Sequence, residues 1–457
     1  MTGRPMKAIA ALGLGAIAIT AAAGTAVFSQ TGGGDPSLVA RGQYLAEASD
    51  CGGCHSRKGD QPFSGGQALT TTLGTLYAAN ITPDDQTGIG SWSADQFYRA
   101  LHLGRDAHGR HLYPAMPYNY YTGMTRADSD AIYAYLRTVP AVSYTPPPNK
   151  LPPPLQIRAI MGVWNALYFH PGEYRPDPAR SADWNRGAYL VETLGHCGGC
   201  HTPMNLLGAP KTHQYLQGGM IEDWFATDLT ADRRKGLGGW SRQDLVDYLR
   251  TGRNAHAAAA GPMGEVVAAS TSHLTDADLN AIGAYLSERP ASASTPAPAI
   301  DPATMRQGEA IYVDNCSACH QMQGQGAPGF FPPLQDHAGL QQSNPSTTIR
   351  VILTGVQSTP TAAKPTGVAM PAYAWKLTDR QVAAVATYVR NAWSNSAPSV
   401  TSGEVSKLRR KLVSENQPPR APTTRPMTRP APDTLASPGS DSRDNGTPDA
   451  GRPASES

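Results

Sequence analysis

The apolar pattern of this chain comes in blocks, and each block predicts a different element. An uncharged stretch from Ala8 to Phe28 follows Arg4 and Lys7. That is the charged start and apolar body of an export signal, with small residues offering cleavage after Ala23 or Ala26. At 21 residues it is also long enough to serve as an uncleaved membrane anchor. Further on, the apolar residues of Ile157 to Tyr168 recur at helical spacing, which predicts a connecting helix packed on its neighbours. Three later segments open on a threonine with Asp or Gln three residues on: Thr125 with Asp128, Thr275 with Asp278, and Thr378 with Gln381. Such pairs are capping boxes or close variants, so each predicts a helix start. A tyrosine lies ten residues after each threonine, at Tyr135, Tyr285 and Tyr388.

A shorter helical segment precedes each of these by several tens of residues. The segments are Arg41-Gly42-Gln43-Tyr44-Leu45, Arg186-Gly187-Ala188-Tyr189-Leu190 and Gln307-Gly308-Glu309-Ala310-Ile311-Tyr312. Their glycines predict a close crossing of an opening helix with a closing helix. The pattern therefore reads as three tandem all-α units. The first two share more. Gly88 to Ser93 matches Gly236 to Ser241, including Trp92 and Trp240, and Gly104-Arg105 with His108 matches Gly252-Arg253 with His256. The third unit is more diverged.

All six cysteines lie in Cys-x-x-Cys-His runs: Cys51 and Cys54 before His55, Cys197 and Cys200 before His201, Cys316 and Cys319 before His320. This is haem-attachment spacing. Two thiols three residues apart reach the two vinyl groups of one haem, and the adjacent histidine ligates the iron. A zinc site needs further ligands, and no spare cysteine exists; a thioredoxin-like pair does not explain three histidines. Second axial ligands are expected from Met116, Met263 and Met370, which follow the motif histidines by 61, 62 and 50 residues and each adjoin a proline. His108 and His256 are expected in surface or loop roles. His/Met ligation fills both axial positions, which suits electron transfer rather than oxygen or peroxide chemistry.

Composition adjusts this picture only slightly. A length of 457 residues suits two to four domains, and 46 glycines with 40 prolines suit loop-rich ones. A net charge of +2 gives no case for nucleic acid. Pro146 to Pro148 and Pro152 to Pro154 mark a semi-rigid linker. The segment from Ser414 to Ser457 has nine prolines and no aromatic residue, so it is expected to be disordered.

From Leu38 to Val400 the chain resembles the three-haem cytochrome c subunits of bacterial membrane-bound dehydrogenases that act on alcohols, gluconate, sorbitol and related substrates. The resemblance rests on Asn80-Ile81-Thr82-Pro83-Asp84, Leu112-Tyr113-Pro114-Ala115-Met116-Pro117-Tyr118, Cys200-His201-Thr202-Pro203, Gly261-Pro262-Met263, Phe331-Pro332-Pro333-Leu334 and Ala369-Met370-Pro371. Met204 and Arg126 depart from the family pattern. The fold this implies is all-α, with three tandem class I cytochrome c-like haem domains at 36–140, 178–290 and 303–398. A signal peptide or membrane anchor is expected at 1–30, a Pro-rich linker and connecting helix at 141–177, a second linker at 291–302, and the disordered tail at 414–457. The role it implies is non-catalytic: electrons pass from a catalytic subunit bearing PQQ or flavin, through three haem c groups, to ubiquinone at the periplasmic side of the cytoplasmic membrane. A molybdenum aldehyde or N-heterocycle oxidoreductase is the alternative partner, and a free-standing carrier the alternative role.

Overall fold

Each predicted capping threonine does start a helix. In a computed structural model, which describes residues 35–71, 73–293 and 299–415, the closing helices are Arg126–Leu136, Asp276–Ser287 and Asp379–Val389. Thr125, Thr275 and Thr378 accept from the backbone N–H three residues on, satisfying a donor that helix geometry leaves unpaired. The opening helices are Pro36–Ala48, Ala182–Tyr189 and Pro302–Asn315. Each opening helix packs across its closing helix.

The crossings explain both recurring residues. A Cβ on Gly42 would run into the Ala131 carbonyl, one on Gly187 into that of Ala281, and one on Gly308 into that of Ala384. The next neighbours of those positions are the β-carbons of Tyr135, Tyr285 and Tyr388, the tyrosines ten residues after the caps. The second opening helix ends in a π turn, Leu190–Leu194. That unit has one residue more between its crossing glycine and its first motif cysteine than the first unit has, and the wider turn absorbs it.

The core is shared. Leu45, Ile132 and Leu136 of the first unit lie in one buried cluster with Leu190, Val191, Leu279 and Tyr285 of the second. Each large aliphatic side chain buried there contributes roughly 1.5–3 kcal/mol. The connecting helix Ile160–Tyr168 buries one side, where Trp164 meets Tyr118 and Ala209 and its indole N–H donates to the Leu207 carbonyl, and leaves Val163 and Leu167 exposed.

Two features depart from the sequence expectations, the first of them from an all-α fold. Among the described residues there are three antiparallel hairpins: Ala68–Thr71 with Gly74–Tyr77, Gln217–Ile221 with Trp224–Asp228, and Val356–Gln357 with Ala369–Met370. Strands of two to five residues are too short for a period-two pattern to stand out. The second departure is a helix at Ser402–Glu415, capped by a reciprocal bond between Thr401 and Glu404. Its Val405 and Leu408 are buried, and Arg409 reaches Asp379 at 2.7 Å. Packing divides the chain after Arg410, and of the second part only the end of this helix is described. The expected signal or anchor at 1–30 and the tail beyond Glu415 lie outside the described residues. No helix among the described residues is long and apolar enough to cross a membrane.

Candidate haem centres

The three motifs fold alike. Short helical turns, Cys51–His55, Gly198–His201 and Ser317–His320, carry them. A three-residue separation on such a turn brings two side chains to one side. None of the six cysteines is joined to another in a disulfide. Burial pushes Cys51, Cys54 and Cys197 up to about 12, and Cys200 and Cys316 up to about 11. None of these five is a reactive thiolate of the thioredoxin kind.

The histidines carry the strongest geometric signal. His55 Nδ1 lies 2.7 Å from the Ala79 carbonyl, His201 Nδ1 lies 2.7 Å from that of Thr227, and His320 Nδ1 lies 3.1 Å from that of Pro332. A carbonyl accepts only, so each Nδ1 carries the proton and Nε2 keeps its lone pair for a metal. Burial lowers all three pKa values, and the carbonyl bonds only partly oppose it. The rings are therefore neutral at neutral pH, the form that ligates. Two of the carbonyls come from the unexpected hairpins: Thr227 is in a strand, and Ala79 follows one closely. The residues present fit haem c.

The expected methionines are all half-buried, in three different settings. Met116 packs between two buried clusters. Met263 sits in the first turn of a helix, Pro262–Ala269. Met370 pairs with Val356 in the last hairpin. His108 is exposed in a loop. His256 stacks on Trp240 at 5.3 Å and lies 3.3 Å from Asp244. Trp92 packs against the shared core, and its carbonyl accepts from Tyr133.

Sequence reading missed how the first two units interlock. Arg41 pairs with Asp128 at 2.6 Å, and Tyr189 of the second unit donates to the same carboxylate at 2.6 Å. Arg186 pairs with Asp278 at 2.7 Å, and Tyr44 of the first unit donates to it at 2.6 Å. The two hydroxyls also accept from the backbone N–H of Thr125 and Thr275, each at 3.2 Å. The helix that carries Met263 packs on the first motif helix, while the turn Tyr118–Tyr121, just after Met116, packs on Leu190–Leu194 before the second motif. The duplicated residues are visible in the sequence, but their exchange across a two-fold relation is not.

The fold and the motif turns define a c-type cytochrome. The cytochrome c family model matches residues 39–140 and 305–393. The gluconate 2-dehydrogenase cytochrome c subunit of Pantoea cypripedii is 39% identical over 428 residues, 89% of this chain and 95% of that protein. The fructose dehydrogenase cytochrome subunit of Gluconobacter japonicus is 39% identical over 403 residues, 81% of this chain and 82% of its own. A nicotinate dehydrogenase subunit of Pseudomonas putida is 41% identical over 401 residues, which cover 85% of this chain but 33% of that longer protein. The chain belongs to the family of dehydrogenase cytochrome c subunits, electron-transfer proteins that carry haem c.

Proposed function

We propose that this chain is the electron-transfer subunit of a dehydrogenase complex on the periplasmic side of the bacterial cytoplasmic membrane, with three haem c groups. Residues 1–30 act as its export signal or anchor. Cys51 and Cys54, Cys197 and Cys200, and Cys316 and Cys319 hold the groups through thioethers. His55, His201 and His320 would hold the iron through Nε2, and Met116, Met263 and Met370 would supply the second ligand. When bound, haem supplies a one-electron centre whose potential methionine ligation raises. The carbonyls of Ala79, Thr227 and Pro332 hold each imidazole in its ligating tautomer. The chain takes electrons from a catalytic subunit bearing PQQ or flavin and delivers them to ubiquinone.

The observation that carries this reading is the histidine–carbonyl bond repeated behind all three motifs. A second reading, the electron-accepting part of a molybdenum aldehyde or N-heterocycle oxidoreductase, is favoured by the likeness to the nicotinate dehydrogenase subunit. Detergent extraction of the native complex separates the two, because the co-purifying subunit identifies the partner. With that partner's substrate added, the complex reduces a soluble ubiquinone analogue, and the isolated chain shows no dehydrogenase activity. A cytochrome that emerges alone at every ionic strength would make the chain a free-standing carrier. Replacing Met116, Met263 or Met370 singly abolishes one methionine-to-iron signature and lowers one potential; an unchanged spectrum refutes that ligand.

A further inference from the structure

The interlock of the first two units brings their haem-attachment segments face to face, and two aromatic rings lie in the gap. Tyr121 belongs to the turn that follows Met116, and only 4% of it is exposed. Its hydroxyl donates to the Ser49 carbonyl at 2.6 Å. Ser49 is two residues before Cys51. The other side of the Tyr121 ring meets His196 edge to face, with centroids 5.4 Å apart. His196 directly precedes Cys197.

The surroundings close the gap further. Tyr120 lies beside the glycines between the second pair of cysteines: a Cβ on Gly198 would come within 3.1 Å of its ring, and one on Gly199 within 3.7 Å. Asp50 and His196, at equivalent places before their motifs, both adopt left-handed backbone, with φ of 51° and 36°. Such a conformation is strained for residues other than glycine and persists where packing over-determines it. The third motif has no counterpart: Asn315 before it ends a regular helix.

We propose that Tyr121 and His196 form a bridge that couples the first and second haem centres, a role that rests on the three-haem reading above. The connection from Cys51 runs through the backbone to Ser49, across one hydrogen bond to Tyr121 and one ring contact to His196, which also meets the Ser49 backbone, and by the backbone to Cys197. Bonded and packed atoms carry tunnelling electrons better than empty space, so an unbroken chain with two non-covalent steps is an effective link. The bridge takes up no proton and changes no bond; one electron leaves one centre and arrives at the other. Tyr121 and His196 are positioning residues, since neither holds a haem itself.

The test uses the full-length chain with its haems attached, poised half-reduced, with exchange between centres read by two-dimensional NMR of the haem methyl signals. In the double variant Tyr121→Leu, His196→Leu, exchange cross-peaks between the first and second centres are lost, those between the second and third persist, and mass shows three haems. His196→Phe keeps a ring against Tyr121 and retains all cross-peaks. If the double variant does not hold its haems, Tyr121→Phe removes the Ser49 hydrogen bond alone and slows only the first-to-second exchange. Unchanged exchange in the double variant, or in Tyr121→Phe where that stands in for it, overturns the bridge. So does an equal fall for both pairs of centres. A parent chain with no exchange between any centres would instead refute the relay reading and is read from a different sample.

Discussion

The first two units and the third solve the same problem, how to close a small helical unit around its motif, in different ways. In the first two, an arginine and an aspartate join the opening and closing helices, and a tyrosine from the other unit completes each carboxylate's shell. Each unit covers its neighbour, and one hydrophobic core runs through both. The third unit has Gln307 and Gln381 where the others have arginine and aspartate. It keeps the glycine crossing and a full capping box at Thr378, and adds a helix of its own, joined through Arg409 to Asp379. Its closing helix also ends on Arg390, fully buried and donating to the Gln342 carbonyl at 2.8 Å. The lesson is that duplication gave the first two units a reciprocal partner surface, whereas the third docks on the second through unrelated contacts, such as Thr347 with the Phe225 backbone and Gln341 with the Arg234 carbonyl, and adds a helix of its own.

The largest effect should come from the crossings, which all three units share. Gly187→Val places a branched side chain against the Ala281 carbonyl and should cost about 3 kcal/mol, the upper end of overpacking penalties. Gly308→Val should cost as much in the third unit. Thermal unfolding of the holo chain measures both, and a tolerant Gly308→Val would show that the third crossing is looser than the others.

Next comes the interlock. Asp278→Ala leaves Arg186 and Tyr44 without their shared acceptor. With the arginine side chain 35% exposed, the cost should be about 2 kcal/mol rather than the full penalty of a buried pair. Because Tyr44 belongs to the other unit, hydrogen exchange should quicken in both Pro36–Ala48 and Asp276–Ser287 and stay unchanged in the third unit. A change confined to the second unit would break the comparison.

Arg409→Ala tests the third unit's own cover. The partners are partly exposed, so the loss should be about 1 kcal/mol, read as faster exchange in Asp379–Val389 with the first two units unaffected.

The smallest effect is one of pH. Burial raises the Asp278 pKa, but the Arg186 and Tyr44 hydrogen bonds outweigh it and hold the group below its ordinary value. A carboxylate depressed in the folded state contributes stability above its unfolded pKa and loses it as pH falls through the folded value. Asp278→Asn should therefore flatten the acid side of the stability curve below about pH 4. A variant that keeps the parent's acid dependence would place that dependence elsewhere.

Much of this architecture is legible in the sequence because short-range rules govern it. Capping threonines and the Cys-x-x-Cys-His runs act within a few residues of themselves, and the crossing glycines, though they meet a distant helix, show themselves by recurring in all three units. The hairpins are not legible, since strands as short as Val356–Gln357 carry no period. The helix at Ser402–Glu415 is legible in principle, through Thr401 with Glu404 and the spacing of Val405 and Leu408. It is easily passed over because it follows the last repeat. The carbonyls behind the motif histidines are hidden for another reason. Ala79, Thr227 and Pro332 act through backbone, which any residue type supplies. The exchange of Tyr44 and Tyr189 between units depends on how two domains dock, and no local pattern encodes that.

The central claim is that each of the three motif turns holds one haem. Intact mass of the purified, denatured chain tests it directly, because thioether bonds survive unfolding. The account predicts three haems per fully matured chain, and one fewer when both cysteines of any single motif are replaced by alanine. Two or fewer on the parent chain would contradict it.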